Sequence, residues 1–400
     1  MSSHTNQPQV RRRRVFYIPG YDPMPPRRYR ELYRTESQKQ ARISGYEIAI
    51  APKTTGERFG WRVTSEQDGL TVETELEVLV WSDIVRDSMS VSIPATYWQL
   101  ARTAWIYTST GTLWRLMRLR KGPVIAALYP VGMLVSQLLI ALAVAWACTA
   151  MAGWWGLFPG AAAAVALLLW FRKVDNQLFA YYLMHDYAYS AQLKGKTPAK
   201  LHDRLASFRE TIEAALKSDL DEVLVVGHSS GAHMGTSVLA ELIRKTNVQE
   251  RRAALSFLSL GQVVPMVSFL PQAYELRSDL QFLSTRSELT WVDVSAPGDG
   301  CAFALCDPVA VTGVARSDKR WPLVLSAAFT QTLSPERWKA LRWRFFRLHF
   351  QYLCAFDEPG SYDYFRITAG PLTLKQRFAD REASRSRIET PVSKFTSVRP

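Results

Sequence analysis

Residues Asp221–His233 read DEVLVVGHSSGAH, and the fold turns on this stretch. Val223–Val226 is a short apolar run, rich in valine and preceded by two acids, which reads as a buried strand. Gly235–Thr246, GTSVLAELIRKT, reads as a helix. Between them GHSSG fits the pattern G-x-S-x-G, with Gly227, Ser229 and Gly231 at the defining positions. A nucleophilic serine has to stand on a sharp, strained turn so that its hydroxyl projects into a cleft, and glycines two residues to either side let strand and helix approach. The bare pattern is weak, and the alternative is a plain tight turn. The strand before it and the helix after it supply the setting that the chemistry needs.

Working outward, apolar strands recur at Arg14–Tyr21, Gly45–Pro52, Gly56–Glu66, within Thr71–Val85, at Ala254–Gly261 and at Leu289–Ala296. Helical patterns separate the later ones. In Ala199–Ser218 the residues Leu201, Leu205, Phe208, Ile212 and Leu216 share one face, and Gln272–Thr285 is a second helix. Strands alternating with helices predict an α/β domain, a mainly parallel sheet with helices on both faces.

One segment does not belong to that domain. Gly122–Phe171 contains no Asp, Glu, Lys or Arg, and a spanning helix needs about 20 apolar residues. Gly153–Gly160, GWWGLFPG, divides the run, so the expectation is a two-helix transmembrane hairpin over 124–150 and 156–171. Arg115, Arg118, Arg120 and Lys121 precede it, Arg172 and Lys173 follow it, and the turn is uncharged. Positive flanks place both ends, and the domain, in the cytoplasm. The alternative is a buried hairpin in a soluble core. The chain is thus divided into a basic arm at 1–14, a first half-domain at 15–121, the hairpin at 122–173, a second half-domain at 174–370 and a basic flexible tail at 371–400.

Strand, GHSSGAH and helix together resemble the nucleophile elbow of the α/β-hydrolase superfamily, which includes lipases, esterases and thioesterases. The resemblance covers most of 15–122 and 173–370, and the inserted hairpin departs from the usual soluble fold. It implies an acyl-enzyme mechanism with Ser229 as nucleophile and the chain order serine, acid, histidine. Of the six histidines only His349 follows Ser229 by more than four residues, so His349 is the expected base. For the acid, Asp299 lies just past a strand end in a Pro-Gly loop, where open α/β sheets put catalytic groups; Asp293 and Asp307 remain open. The oxyanion hole would take one backbone N–H from Ser230 and one from Tyr21 or Gly20 in Phe16–Pro23, FYIPGYDP, although the HG signature of many lipases is missing.

The formal net charge is +13. Arg11–Arg14 and the residues after Pro371 contribute much of it, which suggests contact with anionic inner-leaflet lipid; no nucleic-acid motif is found. The four cysteines have no CxxC spacing, and neither a metal nor an organic cofactor is implied. Pro335–Leu353 is aromatic and basic, a helix that could lie on the bilayer or pack in the core. The expected function is a membrane-anchored serine hydrolase acting on an ester or thioester, with a membrane lipid or acyl ester as substrate. The rival is a non-catalytic membrane-tethered binding or assembly module.

Overall fold

The computed structural model describes residues 9–53, 58–89, 91–245 and 253–400; residues 1–8 of the expected arm lie outside them. Eight strands form one sheet in the order β2-β3-β4-β1-β5-β6-β7-β8. They are β1 Arg12–Ile18, β2 Glu47–Pro52, β3 Gly60–Gln67, β4 Leu70–Val78, β5 Glu222–His228, β6 Ala254–Leu260, β7 Leu289–Ser295 and β8 Leu323–Ser326. From β4 to β8 every pairing is parallel. β3 is antiparallel to both β2 and β4, so β3 alone runs against the others and the sheet is mixed.

Alternation within β5 explains the two cores. Val223 and Val225 point to one face, packing with Phe208, Ile212, Val238 and Leu280 of the helices Ala199–Leu216, Gly231–Lys245 and Tyr274–Ser284. Leu224 and Val226 point to the other, with Tyr29, Tyr33, Tyr352 and Phe365. Every residue of β5 is buried, as a strand covered on both sides of a parallel sheet must be. The register sets Ile18 beside Gly227, Gly227 beside Ser259, and Ser259 beside Asp293. The C-terminal ends of β1, β5, β6 and β7 therefore form one rim.

The basic arm is different from the expectation. Arg12, Arg13 and Arg14 belong to β1, and Arg13 is fully buried. Its Nε donates to Glu222 at 2.6 Å, and its Nη1 and Nη2 donate to the carbonyls of Gly370 and Leu372 at 2.8 and 2.7 Å. Ser256 and the Leu374 N–H donate to the same Glu222 at 2.6 and 2.7 Å. A buried charge pair is tolerable because its remaining hydrogen-bonding groups are met. Residues 371–400, expected as a flexible tail, are likewise laid on the domain. The Ile388 N–H donates to Leu305 and its carbonyl accepts from Asp307, while Val392 donates to Val311. Backbone groups without side-chain patterning make these bonds, so composition hid them.

The single helix expected over Pro335–Leu353 is three pieces, Pro335–Leu341, Phe345–His349 and the 3-10 turn Gln351–Leu353. Arg344, at φ −103°, ψ 68°, breaks the helical path. Leu348 and Tyr352 go into the core while Trp343 and Phe345 stay exposed.

Lys121–Lys173 is one stretch long and apolar enough to cross a membrane, and only 17% of its most apolar window is buried. It is helical over Lys121–Ala152 and Leu157–Lys173, with Gly153 at φ 59° between them. A Cβ on Gly156 or Gly160 would meet the backbone of Cys148 or Ala145 within 2.8 Å, so the second helix folds back tightly on the first. With 17 residues, at about 1.5 Å each, the second helix is shorter than a hydrocarbon core of about 30 Å. By length and composition, the expected pair of spans reduces to one stretch that can cross a membrane.

Candidate active site

β5 delivers Ser229 to the rim at φ +56°, a left-handed conformation that a non-glycine residue holds only under constraint. The Ser229 N–H donates to the Leu260 carbonyl at 2.9 Å, which pins the turn to β6. The flanking glycines are demanded by contact. A Cβ on Gly227 would lie 2.5 Å from the Gly231 carbonyl oxygen, and one on Gly231 would lie 2.0 Å from that of Ile18. Gly20, two residues past the end of β1, is also tight: its Cβ would be 2.9 Å from Ser229 Cβ and 3.4 Å from Ser229 Oγ.

His349 ends the helix Phe345–His349, and its Nδ1 lies 2.7 Å from Asp299 Oδ2. The carboxylate can only accept, so Nδ1 carries the proton and Nε2 is left with a lone pair. Nε2 is buried with no hydrogen-bond partner among the described residues. Ser229, Ser230, His228, His349, Gly20 and Tyr21 line one cavity, so the free nitrogen and the hydroxyl share a chamber. The N–H groups of Tyr21 and Ser230 have no protein acceptor among the described residues.

Asp299 is held from several sides. Its Oδ1 accepts the Cys301 N–H at 2.9 Å, and its Oδ2 also accepts the Tyr352 hydroxyl at 3.0 Å. Burial by itself raises the carboxyl pKa; the adjoining His349 ring and these hydrogen bonds outweigh it and hold the group below the ordinary carboxylate value. The other two acids have structural work. Asp293 is buried inside β7, accepts from Ser259 at 2.6 Å, and is pushed up to about 7 by burial. Asp307 caps the helix Pro308–Thr312 and pairs with Lys319 at 2.6 Å.

The two elbow histidines do not face the serine as bases. His228 Nε2 lies 2.9 Å from the His349 carbonyl, which fixes its tautomer as a donor, and its ring stacks on His349 at 4.7 Å. Burial, then the His349 charge, lowers its pKa to about 3. Burial lowers His233 to about 4. Both are neutral at physiological pH.

Asp299, Cys301 and His349 offer donor atoms within 4.8 Å of one another. Their bonding suits a proton-sharing pair better than a cation. Asp299 Oδ2 already accepts two hydrogens, and burial pushes the Cys301 thiol up, away from the thiolate a metal requires.

Three contributors carried no motif. Tyr352 bridges the Ala296 N–H and Asp299; its only signal was its place one turn after His349. Gly261, at φ +51°, leaves room for the His349 and Tyr352 rings. Asp186 lines the chamber from the helix Ala180–Ala191, and its only signal was an acid among aromatics in YYLMHDYAYS. Comparison of the chain with protein-family models, curated proteins and solved structures finds no match.

Proposed function

We propose that this chain is a membrane-anchored serine hydrolase of the α/β-hydrolase type, cleaving an ester or thioester through an acyl-enzyme on Ser229. The observation that carries the reading is the His349 ring, tied at Nδ1 to Asp299 and unpartnered at Nε2, in the chamber that holds Ser229. In this reading Nε2 takes the Ser229 proton as the hydroxyl attacks the acyl carbonyl, then returns it to the leaving group. Asp299 orients the imidazole and stabilises its cation. The N–H groups of Ser230 and Tyr21 receive the oxyanion. Water then attacks the acyl-enzyme with His349 as base.

The substrate in this proposal is a lipid-like acyl ester. Two contacts support it. Gly122, at the start of the apolar segment, abuts Gly300 in the Asp299 loop. Phe179, just past its other end, stacks on Phe346 of the chamber at 4.7 Å. Leu139, Leu142, Trp146, Phe158, Val165 and Leu169 are exposed apolar side chains that call for lipid. Two spans, with the domain on the cytoplasmic side and basic residues toward anionic lipid, complete the proposal.

The test is labelling of the detergent-solubilised full chain with a fluorophosphonate probe. Labelling that disappears in Ser229→Ala is the expected result. A folded protein that never labels would instead favour a binding module without catalysis.

A further inference from the structure

Two acids that the proposed chemistry does not use, Asp22 and Asp186, line the chamber, and Asp186 is the one without a hydrogen-bond partner among the described residues. It lies at the junction of two adjoining cavities. One holds Ser229 and His349, and the other is walled by Trp81, Leu201, Leu205 and Leu276; Tyr21, Ser190, Ser230 and Val267 border both. Among the described residues no hydrogen bond or ion pair engages its carboxyl group, even though Lys196 lines the second cavity. The other acid at the chamber, Asp22, is already satisfied by the Tyr29 hydroxyl at 2.6 Å and the Met24 N–H at 2.9 Å.

The surroundings favour one kind of partner. Among the described residues no Lys or Arg lines the Ser229 chamber, in a chain of net charge +13; the Arg28 guanidinium lies over the Phe350 ring at 5.6 Å. Its wall is aromatic instead, with Tyr21, Tyr182, Tyr187, Phe346 and Phe350. Ring faces carry negative potential and attract ammonium groups, most strongly where water is excluded. An unpartnered carboxyl group facing a cavity walled by Tyr21, Tyr182, Tyr187 and Phe346 suits a positive charge.

We propose that the chamber binds a cationic, alkylammonium-bearing ligand, with Asp186 as its counter-ion and the surrounding rings as its cage. Resting on the hydrolase reading for the chemistry alone, this makes the substrate class an ester with an ammonium group near the scissile carbonyl. The state of the empty site agrees. Burial pushes Asp186 up to about 7, and only the His349 charge pulls it down. The other titratable groups facing it are the Tyr21, Tyr107, Tyr182 and Tyr187 hydroxyls and the Cys301 thiol, all pushed up by burial and so neutral; His233 and Lys196 border the second cavity. A cation binds the ionised form, so affinity rises with pH through about 7 and levels off above it. Ionisation grows about tenfold between about pH 6 and about pH 8.

The experiment uses the Ser229→Ala full chain, so that binding is read without turnover. Tetramethylammonium is titrated by calorimetry at about pH 6 and about pH 8, beside its neutral isostere 3,3-dimethylbutanol. The expected result is about tenfold tighter tetramethylammonium binding at the higher pH, with weaker and pH-independent binding of the alcohol. Asp186→Asn should abolish both the preference and the pH dependence, and Asp186→Glu should retain them. The proposal is overturned if the alcohol binds equally well. It is also overturned if the pH dependence survives in Asp186→Asn, which would assign it to another group, or if a protein with native near-ultraviolet dichroism binds no tetramethylammonium. None of these outcomes depends on fluorophosphonate labelling, so failure of the hydrolase reading is seen separately.

Discussion

Replacing Asp299 by Asn tests the site at its most constrained point. The carboxylate accepts at both oxygens: Oδ1 from the Cys301 N–H at 2.9 Å, and Oδ2 from His349 Nδ1 at 2.7 Å and Tyr352 at 3.0 Å. A carboxamide offers one acceptor and one donor. With its NH2 toward Cys301, two donors oppose each other in a buried place, at a cost of about 1–3 kcal/mol. With its NH2 toward His349, Nδ1 must become the acceptor and the imidazole proton moves to Nε2. The lone pair that the proposed attack by Ser229 needs is then gone. Loss of the working tautomer in such a constellation costs about 10⁴-fold in rate, or about 5 kcal/mol at 1.36 kcal/mol per decade. The assay is the second-order rate of fluorophosphonate labelling, with dichroism to check the fold. A folded Asp299→Asn protein that labels within about tenfold of the parent would refute the assignment of Asp299 as the acid.

Gly231→Ala puts a Cβ 2.0 Å from the Ile18 carbonyl oxygen, where backbone must move; thermal denaturation should show a loss of about 3 kcal/mol or more, or no folded protein. Asp293, raised to about 7 by burial, keeps its proton in the folded chain where the unfolded chain has lost it. Stability therefore falls as pH rises from about 4 to about 7, by on the order of 4 kcal/mol from this group, and Asp293→Asn should remove that share of the slope in melting curves taken across the window. Asp186 adds to the same slope and will persist in that variant. Arg13→Met leaves the buried Glu222 charge without its counter-charge, which should cost about 3–5 kcal/mol in denaturant titrations. It also frees the carbonyls of Gly370 and Leu372, so limited proteolysis should cut first near residues 370–373; cutting unchanged from the parent would count against this role.

Local patterns in the chain already determined the strands flanking the elbow, the helix after it and the uncharged stretch Gly122–Phe171, because burial imposes a period that neighbouring residues record. G-x-S-x-G was legible in part for the same reason: Gly227 lets backbone meet backbone four residues on, at Gly231, whereas Gly231 is required by the distant carbonyl of Ile18. Asp299 and His349 could be nominated from chain order and strand ends, but only the folded chain brings residues fifty positions apart to a shared proton. The burial of Arg13 depends on Glu222 across the sheet, and the ordering of 371–400 on backbone carbonyls that carry no sequence signal. The reversed direction of β3, the break at Arg344 and the lone carboxyl of Asp186 among tyrosines are likewise decided by what packs against them. Hydrophobic periodicity is a property of neighbours along the chain, whereas pairing, strand direction and the fate of a buried charge are properties of distant partners that meet only in three dimensions.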